Sequence, residues 1–270
     1  MLNLKQMRIG TRLSLLVTGV TIIAVGLMVT GIALQVGSFA RQDAIEIAKQ
    51  TASARGNEVK NNLENALDEA RSLAKIFEAA SVVANAGISR RQANSLLQYY
   101  VERSPEFYAA YVAFEPNAYD GKDVNFVDEW GHDATGRFIP YWTRDEKGQG
   151  SLAPLSGYES EGAGDYYMMP KKVKREAIID PRPDTRRVSL VVPMFNAEKA
   201  FLGITGIDIT LDRIQKLVAE SVLYKTGSLT LYSANTAVAA ARDTALVGKT
   251  AAEAGANKML QDKLGSMDPF

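Results

Sequence analysis

Twenty-two consecutive residues near the N-terminus carry no charged side chain. This run covers residues 13–34 and reads LSLLVTGVTIIAVGLMVTGIAL. About 20 apolar residues cross the hydrocarbon core of a bilayer as a helix, whereas the buried helix of a soluble protein needs only about 10–14. The sequence therefore predicts a transmembrane helix over residues 13–34, which leaves the rest of the chain to fold outside the bilayer.

The charges beside this run predict its orientation. Lys5, Arg8 and Arg12 lie just before it, and positively charged residues favour the cytoplasmic side. We therefore expect residues 1–12 in the cytoplasm and, from about residue 36 onward, a periplasmic or extracellular region anchored in the inner (cell) membrane. A cleaved signal peptide is the alternative. Its apolar segment is about 7–15 residues long and ends at a small-residue site, which VGSFARQ does not resemble.

The segment after the apolar run predicts a long helix. Residues 38–80 contain no proline and a single glycine, Gly56. Apolar side chains recur there at steps of three or four, the period of an amphipathic helix. We predict a stalk helix over residues 35–80, whose narrow stripe packs either on its own domain or on a second copy in a homodimer. The stripe consists of Val59, Leu63, Ala66, Ala70, Leu73 and Phe77.

The rest of the chain mixes short helical and strand-like patterns. This order favours an α+β fold, an antiparallel sheet with helices to one side. A segment rich in glycine, proline and charge, residues 117–187, interrupts it, and Thr210 is the expected N-cap of the helix that follows the last long strand. The predicted elements are a helix at 89–102, strands at 107–116, 188–195 and 200–210, a helix at 211–220, and a strand-turn-strand pattern from 227.

Composition excludes several kinds of site. The chain has no cysteine, and its one histidine, His132, has no partner at metal-ligand spacing. The formal net charge is zero, which gives no general attraction to nucleic acid. Motifs for phosphate binding or serine catalysis are missing from the sequence. We therefore predict no enzyme activity, metal, cofactor or nucleic-acid partner, and we interpret His132 and the basic run at 171–176 as solvated.

Four stretches carry a resemblance to a known receptor family. They are the anchor that continues into the stalk, GDYYMMPKK at 164–172, VSLVVPMFNAEKAFLGITGIDITLD at 188–212, and LTLYSANTAVAAARDTALVGKT at 229–250. Together they resemble the double Cache sensor region of bacterial methyl-accepting chemotaxis proteins, and the glycine-rich hairpin is the most typical of them.

This resemblance implies two PAS-like antiparallel-sheet modules. The membrane-distal, ligand-binding module falls on residues 81–220, and residues 221–270 look like the start of an incomplete membrane-proximal module. The chain is then expected to be the N-terminal portion of a longer receptor, which reaches cytoplasmic signalling partners only through its C-terminal part.

The resemblance also implies a pocket built from an aromatic loop, an "R-x-W-Y" element and the aspartate of a "G-x-D-I" strand. By position these fall on Trp142, on the pair Tyr166 and Tyr167, and on Asp208, while the arginine falls on Gly164. A glycine cannot clamp a carboxylate as that arginine does in amino-acid-binding members. Aromatic rings and one aspartate remain, which favours a quaternary ammonium compound, a betaine or an amine as ligand. The further candidates for the wall are Tyr141, Trp130 and Tyr158.

Other interpretations of the same residues stay open. Asp208 would otherwise only satisfy backbone groups at the strand end, and the two neighbouring tyrosines, if on a strand, would face opposite ways. The same sensor fold also serves amino acids, other carboxylates or purines, and kinase or cyclase receptors. Two other classes are a periplasmic scaffold or adhesin with an exposed apolar patch, and an anchored hydrolase with converging carboxylates in residues 117–187.

Overall fold

The computed structural model describes residues 8–82, 87–180, 187–224, 226–233 and 235–266. The chain divides into two compact units, residues 1–54 and residues 55–270. The first helix, α1 (Ile9–Val82), supplies the described residues of the first unit and the start of the second. In the described part of the chain, α1 is the one helix long and apolar enough to cross a membrane by length and composition, and its most apolar stretch is not buried.

The second unit is built around a six-stranded antiparallel sheet with strand order β3-β2-β1-β6-β5-β4. The expected α+β fold with a long N-terminal apolar helix is therefore confirmed. The strands of this sheet are β1 (Phe107–Phe114), β2 (Pro140–Arg144), β3 (Gly150–Pro154), β4 (Ala177–Ile179), β5 (Arg187–Phe195) and β6 (Phe201–Thr210).

Within the described ranges, four further α-helices and four short strands accompany the sheet. In chain order they are α2 (Arg90–Arg103), α3 (Asp165–Val173), α4 (Asp212–Glu220), β7 (Val222–Leu223), β8 (Gly227–Ser228), β9 (Thr230–Tyr232), β10 (Val238–Ala241) and α5 (Lys258–Gly265). Strands β9 and β10 pair antiparallel, as do β7 and β8. The strand-turn-strand pattern expected from residue 227 is therefore present.

One face of the six-stranded sheet is covered by helices. The predicted stripe of α1 is buried there, at Val59, Ala66, Ala70, Leu73 and Phe77, in one cluster with α2 and with strand residues such as Phe114. Of the two predicted packing partners for the stripe, this unit's own core is the one observed. At the start of α2, the Ser89 hydroxyl accepts a hydrogen bond from the Gln92 backbone N–H, and the Ser89 backbone N–H donates to Gln92 Oε1. These two hydrogen bonds form a capping box.

The opposite face of the sheet carries a second, smaller apolar cluster. Side chains alternate between the two faces of a strand, so Tyr111 and Val191 lie here, together with Ile204, while Ala110 and Leu190 enter the first cluster. Gly206 shows how closely this face is packed. A Cβ at Gly206 would lie 2.3 Å from the Tyr111 ring, so only glycine allows the ring to pack this closely against β6.

Two local predictions are wrong, and one open alternative does not apply. Tyr166 and Tyr167 lie on helix α3, so they are not neighbours on a strand that face opposite ways. Thr210 ends β6, and Leu211 is the N-cap of α4 without a side-chain hydrogen bond. His132 is buried rather than solvated, because its ring stacks on Phe126 at 5.1 Å and its Nδ1 lies 3.0 Å from the Trp130 carbonyl oxygen.

Candidate ligand-binding site

A cavity of about 250 Å³ opens on the second face of the sheet. Strands β1, β2, β5 and β6 form its floor, and the segment from the end of β3 to the start of α3 forms its outer wall. It has both aromatic and charged walls, which is unusual for a purely structural void. It is lined by Tyr111, Tyr141, Pro154, Leu155, Ser156, Gly162, Ala163, Tyr166, Ile179, Asp180, Arg187, Ser189 and Asp208.

Asp208 is the buried charged group of this cavity. It lies on β6 between Ala109 of β1 and Ser189 of β5, and it is 6% exposed. Its Oδ2 accepts a hydrogen bond of 2.7 Å from the Tyr141 hydroxyl. Its Oδ1 is buried without a hydrogen-bond partner among the described residues. A buried carboxylate oxygen that lacks a donor is costly, so this atom marks the place where a ligand donor or cation fits.

Burial raises the pKa of the Asp208 carboxyl above its ordinary value, against the opposing effects of the Ser189, Tyr141 and Tyr111 hydroxyls and of Arg187. The Ser189 and Tyr111 hydroxyls thus lie close to the carboxyl group, but neither forms a hydrogen bond with Oδ1. The physical cause is the loss of hydration, which disfavours the charged form. The same cause, strengthened by the nearby Asp208 charge, raises the pKa of the Tyr111 and Tyr141 hydroxyls, which therefore stay protonated and act as neutral donors. The Asp208 side of the cavity thus presents one carboxyl group among neutral hydroxyl groups.

Three tyrosine rings surround the carboxylate side of the cavity. The ring of Tyr111 lies 5.6 Å from that of Tyr141, tilted by 58°. It lies 6.0 Å from the ring of Tyr166 at an angle of 85°. The Tyr111 hydroxyl, like Asp208 Oδ1, is buried without a hydrogen-bond partner among the described residues. The rings of Tyr111, Tyr141 and Tyr166 and the two polar atoms without partners therefore lie on the same side of the cavity.

Arg187 and Asp180 add charge at the other side of the cavity. Arg187 Nη1 donates to the Tyr141 hydroxyl at 3.3 Å, and its guanidinium lies 4.0 Å from the centre of the Tyr108 ring. The Tyr141 hydroxyl thus accepts from Arg187 while it donates to Asp208. Asp180 accepts a hydrogen bond of 2.7 Å from Asn235. The described lining therefore has two carboxylates and one guanidinium.

Three of the seven predicted site residues come together in this cavity, namely Tyr141, Tyr166 and Asp208. Trp142 does not line it, although we expected it to lead the aromatic wall. As the chain neighbour of Tyr141 on β2, it points to the opposite face of the sheet. There its Nε1 donates to Asn94 Oδ1 at 2.9 Å, and it packs against the first cluster.

The other three predicted residues also lie outside the cavity lining. Trp130 is 80% exposed in the loop before His132. Tyr158 and Tyr167 belong to a neighbouring cluster around Arg137, whose guanidinium lies 4.7 Å and 4.9 Å from the centres of their rings. The aromatic-rich stretch 136–148 therefore contributes Tyr141 to the cavity, while its other large aromatics, Phe138 and Trp142, pack in the first cluster.

The sequence analysis missed the other ten lining residues, and the polar side chains that it missed on β1 and β5 are Tyr111, Arg187 and Ser189. The alternation of β1 and β5 contains a signal for them, because each lies on the same face of its strand as Asp208 does on β6. Finding them requires the strand register, which pairs Ser189 with Asp208. Among the described residues no group of acidic or histidine side chains is arranged to hold a metal ion.

Comparison with known proteins places this site in a receptor domain. Residues 93–216 match the family described as "Methyl-accepting chemotaxis protein-like, first PDC sensor domain". The chain is similar to methyl-accepting chemotaxis protein TlpQ of Pseudomonas aeruginosa, with 33% identity over 172 residues that make up 56% of this chain and 24% of TlpQ. The chain thus spans about a quarter of the length of this curated relative.

Solved structures have the same architecture. The extracellular domain of mmHK1S-Z3, named as a histidine kinase, is 28% identical with a TM-score of 0.67, covering 84% of this chain and 79% of that one. The ligand-binding domain of the Pseudomonas aeruginosa amino acid chemoreceptor PctC, solved with GABA, has the same fold at 16% identity and a TM-score of 0.53, covering 77% of this chain and 80% of its own. The resemblance to the sensor regions of bacterial chemoreceptors is confirmed by these similarities and by the match of residues 93–216 to the methyl-accepting chemotaxis protein-like first PDC sensor family.

Proposed function

We propose that the cavity binds a small cationic or zwitterionic metabolite, with a quaternary ammonium or amine group held against Asp208. The observation that carries this proposal is the buried Oδ1 of Asp208, which lines the cavity and lacks a donor among the described residues. A buried charge is tolerated when it is paired. A ligand cation supplies the missing partner, whereas a ligand carboxylate at the same point would add a second negative charge.

The tyrosine rings support the same ligand class. A cation over an aromatic face gains about 0.5–2 kcal/mol, and quaternary ammonium groups are common guests of such sites. Tyr111, Tyr141 and Tyr166 present rings to this cavity. Its volume of about 250 Å³ lies below the range of about 300–1,000 Å³ that drug-sized ligands occupy. A compact metabolite such as choline, glycine betaine or a short amine fits this size.

Arg187 supports the zwitterionic members of this class. The position of the expected carboxylate clamp is Gly164, which has no side chain. Arg187 lines the cavity from β5 instead, and a guanidinium pairs well with a carboxylate. A betaine would then place its cation at Asp208 and its carboxylate at Arg187. The GABA bound by PctC likewise combines an ammonium group and a carboxylate.

At the level of the whole receptor, we infer a chemoreceptor anchored by α1 with a cytoplasmic N-terminus and a periplasmic sensor. The basic residues before the apolar run support this orientation. Ligand binding would favour one conformation of the sensor. In a homodimer, this conformational change would be transmitted to a cytoplasmic signalling part. The mmHK1S-Z3 likeness keeps a histidine kinase output as the alternative. The lined cavity favours a sensor over a scaffold or adhesin.

The test is thermal unfolding of the chain in detergent micelles, followed by near-ultraviolet circular dichroism, against choline, glycine betaine, putrescine, γ-aminobutyrate and succinate. A ligand at a hundred times its dissociation constant should stabilise the fold by about 2.7 kcal/mol, which shifts the melting temperature by several degrees. Stabilisation by the cations and zwitterions supports the proposal. Stabilisation by succinate alone contradicts the ligand class, and no shift with any compound contradicts small-molecule sensing of this kind.

Binding of a cation should also depend on pH. Because burial raises the pKa of Asp208, the free site keeps its proton to a higher pH than an exposed aspartate does, and a cation must displace that proton. Choline has a fixed charge, so its affinity is expected to rise with pH through the pKa of Asp208 and then level off. Calorimetric titrations in buffers of different ionisation enthalpy would detect the released proton, and an affinity independent of pH would contradict this role of Asp208.

A further inference from the structure

The outer wall of the cavity depends on helix α3. This helix carries Tyr166, whose ring meets Tyr111 edge-on at 6.0 Å. The Tyr166 hydroxyl donates to the Ser156 carbonyl oxygen at 3.0 Å, which closes the wall segment on itself. These contacts alone do not tie α3 to the sheet on the side away from the cavity. The attachment there combines the packing of the Tyr167 ring against Phe201 of β6 with a set of charged and hydroxyl groups.

Arg137 is the centre of that attachment. It is 4% exposed, and its Nε donates to the carbonyl oxygen of Phe114 at the end of β1. Its Nη2 donates to the hydroxyl of Tyr167 on α3. Its guanidinium also lies over the rings of Tyr158 and Tyr167. One side chain therefore connects the sheet, the wall loop and the helix, and it does not line the cavity.

Glu115 and Lys171 complete the attachment. The Tyr167 hydroxyl donates to Glu115, and Lys171 Nζ lies 2.5 Å from Glu115 Oε1. Burial pushes the pKa of Glu115 upward, but the hydrogen bonds from Lys171 and Tyr167 outweigh it and hold the pKa below its ordinary value. Glu115 is therefore ionised at neutral pH. Hydrogen bonds to charged groups are among the stronger ones in proteins.

We propose that Arg137 is a positioning residue for ligand binding: it fixes α3 on the sheet, so that Tyr166 stands against Tyr111 in the cavity wall. The sequence places Tyr166 and Tyr167 side by side on α3. Arg137 holds Tyr167, while Tyr166 lines the cavity. A fixed position of Tyr167 therefore fixes the position of Tyr166 in the cavity wall. The effect on affinity rests on the proposed function, whereas the effect on α3 does not.

The test compares Arg137→Met with Tyr167→Phe in the full chain in detergent, by hydrogen exchange and mass spectrometry without ligand. Both variants break the connection from Arg137 through the Tyr167 hydroxyl to Glu115, and the second changes almost no volume. Peptides covering α3 are expected to exchange about tenfold faster in each, since a hydrogen bond to a charged group is lost. Peptides covering β5 and β6 should keep their protection. Trp142→Phe is the matched control, because it removes one hydrogen bond on the opposite face of the sheet.

The outcomes separate a positioning role from a general stabilising role. Faster exchange confined to α3 in either variant supports the proposal, as does partial recovery of protection in Arg137→Lys. Equal loss in α3 and in the sheet for both variants would overturn it, as would unchanged exchange in both. A second arm titrates choline, for which both variants should weaken affinity about tenfold and the control should not. If choline does not bind the wild-type chain, the ligand class fails, and the exchange measurements still decide the role of Arg137.

Discussion

Replacing Asp208 by asparagine is expected to abolish the stabilisation by choline while the unliganded chain becomes more resistant to unfolding near neutral pH. The two effects have one cause. Asp208 is buried, and its Oδ1 has no hydrogen-bond partner among the described residues. Its negative charge therefore destabilises the unliganded fold and stabilises the complex with a cation. Removing one partner of a buried charge pair costs about 2–5 kcal/mol, which corresponds to a loss of affinity of at least about 30-fold.

The sign of the stability change follows from the pKa of Asp208, which burial raises in the folded state. The folded chain then binds a proton more tightly than the unfolded chain does. Asp208 therefore contributes stability at low pH, below the ordinary aspartate pKa, and that contribution is lost as the pH rises through the folded pKa. Asparagine removes this dependence, so the melting temperatures of the variant and the wild type should diverge as the pH increases.

Asp180→Asn is the matched control for this variant. Asp180 also lines the cavity, but its carboxylate is hydrogen-bonded to Asn235 and lies in a half-buried position. We expect its replacement to weaken choline binding only a few-fold and to leave the unliganded melting temperature almost unchanged, as surface charges usually do. Calorimetric titration and thermal unfolding measure both quantities. Equal losses in the two variants would contradict the special role of Asp208.

The strongest local patterns of the sequence predicted the elements that carry the site. The hairpin of β5 and β6 was expected at 188–195 and 200–210 and is observed at Arg187–Phe195 and Phe201–Thr210. Two nearly continuous apolar segments with a turn between them are sufficient to predict such a hairpin. Asp208 was identified because the resemblance assigns it to the aspartate of the "G-x-D-I" strand, a motif that lies within this one strand.

The side of the sheet on which a residue lies was harder to predict. Tyr141 and Trp142 are neighbours on β2, so one of them must face away from the cavity. The choice depends on the pairing with β1, where Tyr111 lies opposite Tyr141 and Ala110 lies opposite Trp142. A register between strands 30 residues apart is not encoded in either local pattern. The larger size of the Trp142 side chain therefore did not indicate which of the two residues lines the cavity.

Residues 117–187 were predicted to form a long variable loop because they are rich in glycine, proline and charge and have few apolar runs. Two of its features overturn that reasoning. Arg137 is buried within the segment, and Asp123 pairs with Arg90, which is 33 residues away on α2. Gly136 adopts a φ of +77°, and a Cβ there would lie 1.8 Å from the Asp123 carbonyl oxygen. Long-range ion pairs and one special glycine thus organise a segment that has few apolar runs.

Replacing Arg90 by methionine is expected to remove a large part of the stability of the sensor domain. Arg90 is 4% exposed. Its guanidinium donates to Asp120 at 2.6 and 3.0 Å, to Asp123 at 2.6 Å and to the Gly136 carbonyl oxygen at 2.7 Å. Methionine fills much of the same volume but leaves the Asp123 carboxylate buried and unpaired. Breaking a buried ion pair in this way costs about 3–5 kcal/mol, out of a total of about 5–15 kcal/mol for a typical domain.

Urea unfolding followed by near-ultraviolet circular dichroism measures this loss, and two variants identify its cause. Arg91→Met changes the next residue, which is exposed, and is expected to alter the free energy of unfolding by at most about 0.5 kcal/mol. Arg90→Met combined with Asp123→Asn removes the stranded charge while the amide oxygen still accepts from the Asn117 backbone N–H. The double variant should therefore be more stable than Arg90→Met alone. If it is not, the loss reflects packing over Phe126 and Phe138 rather than an uncompensated carboxylate.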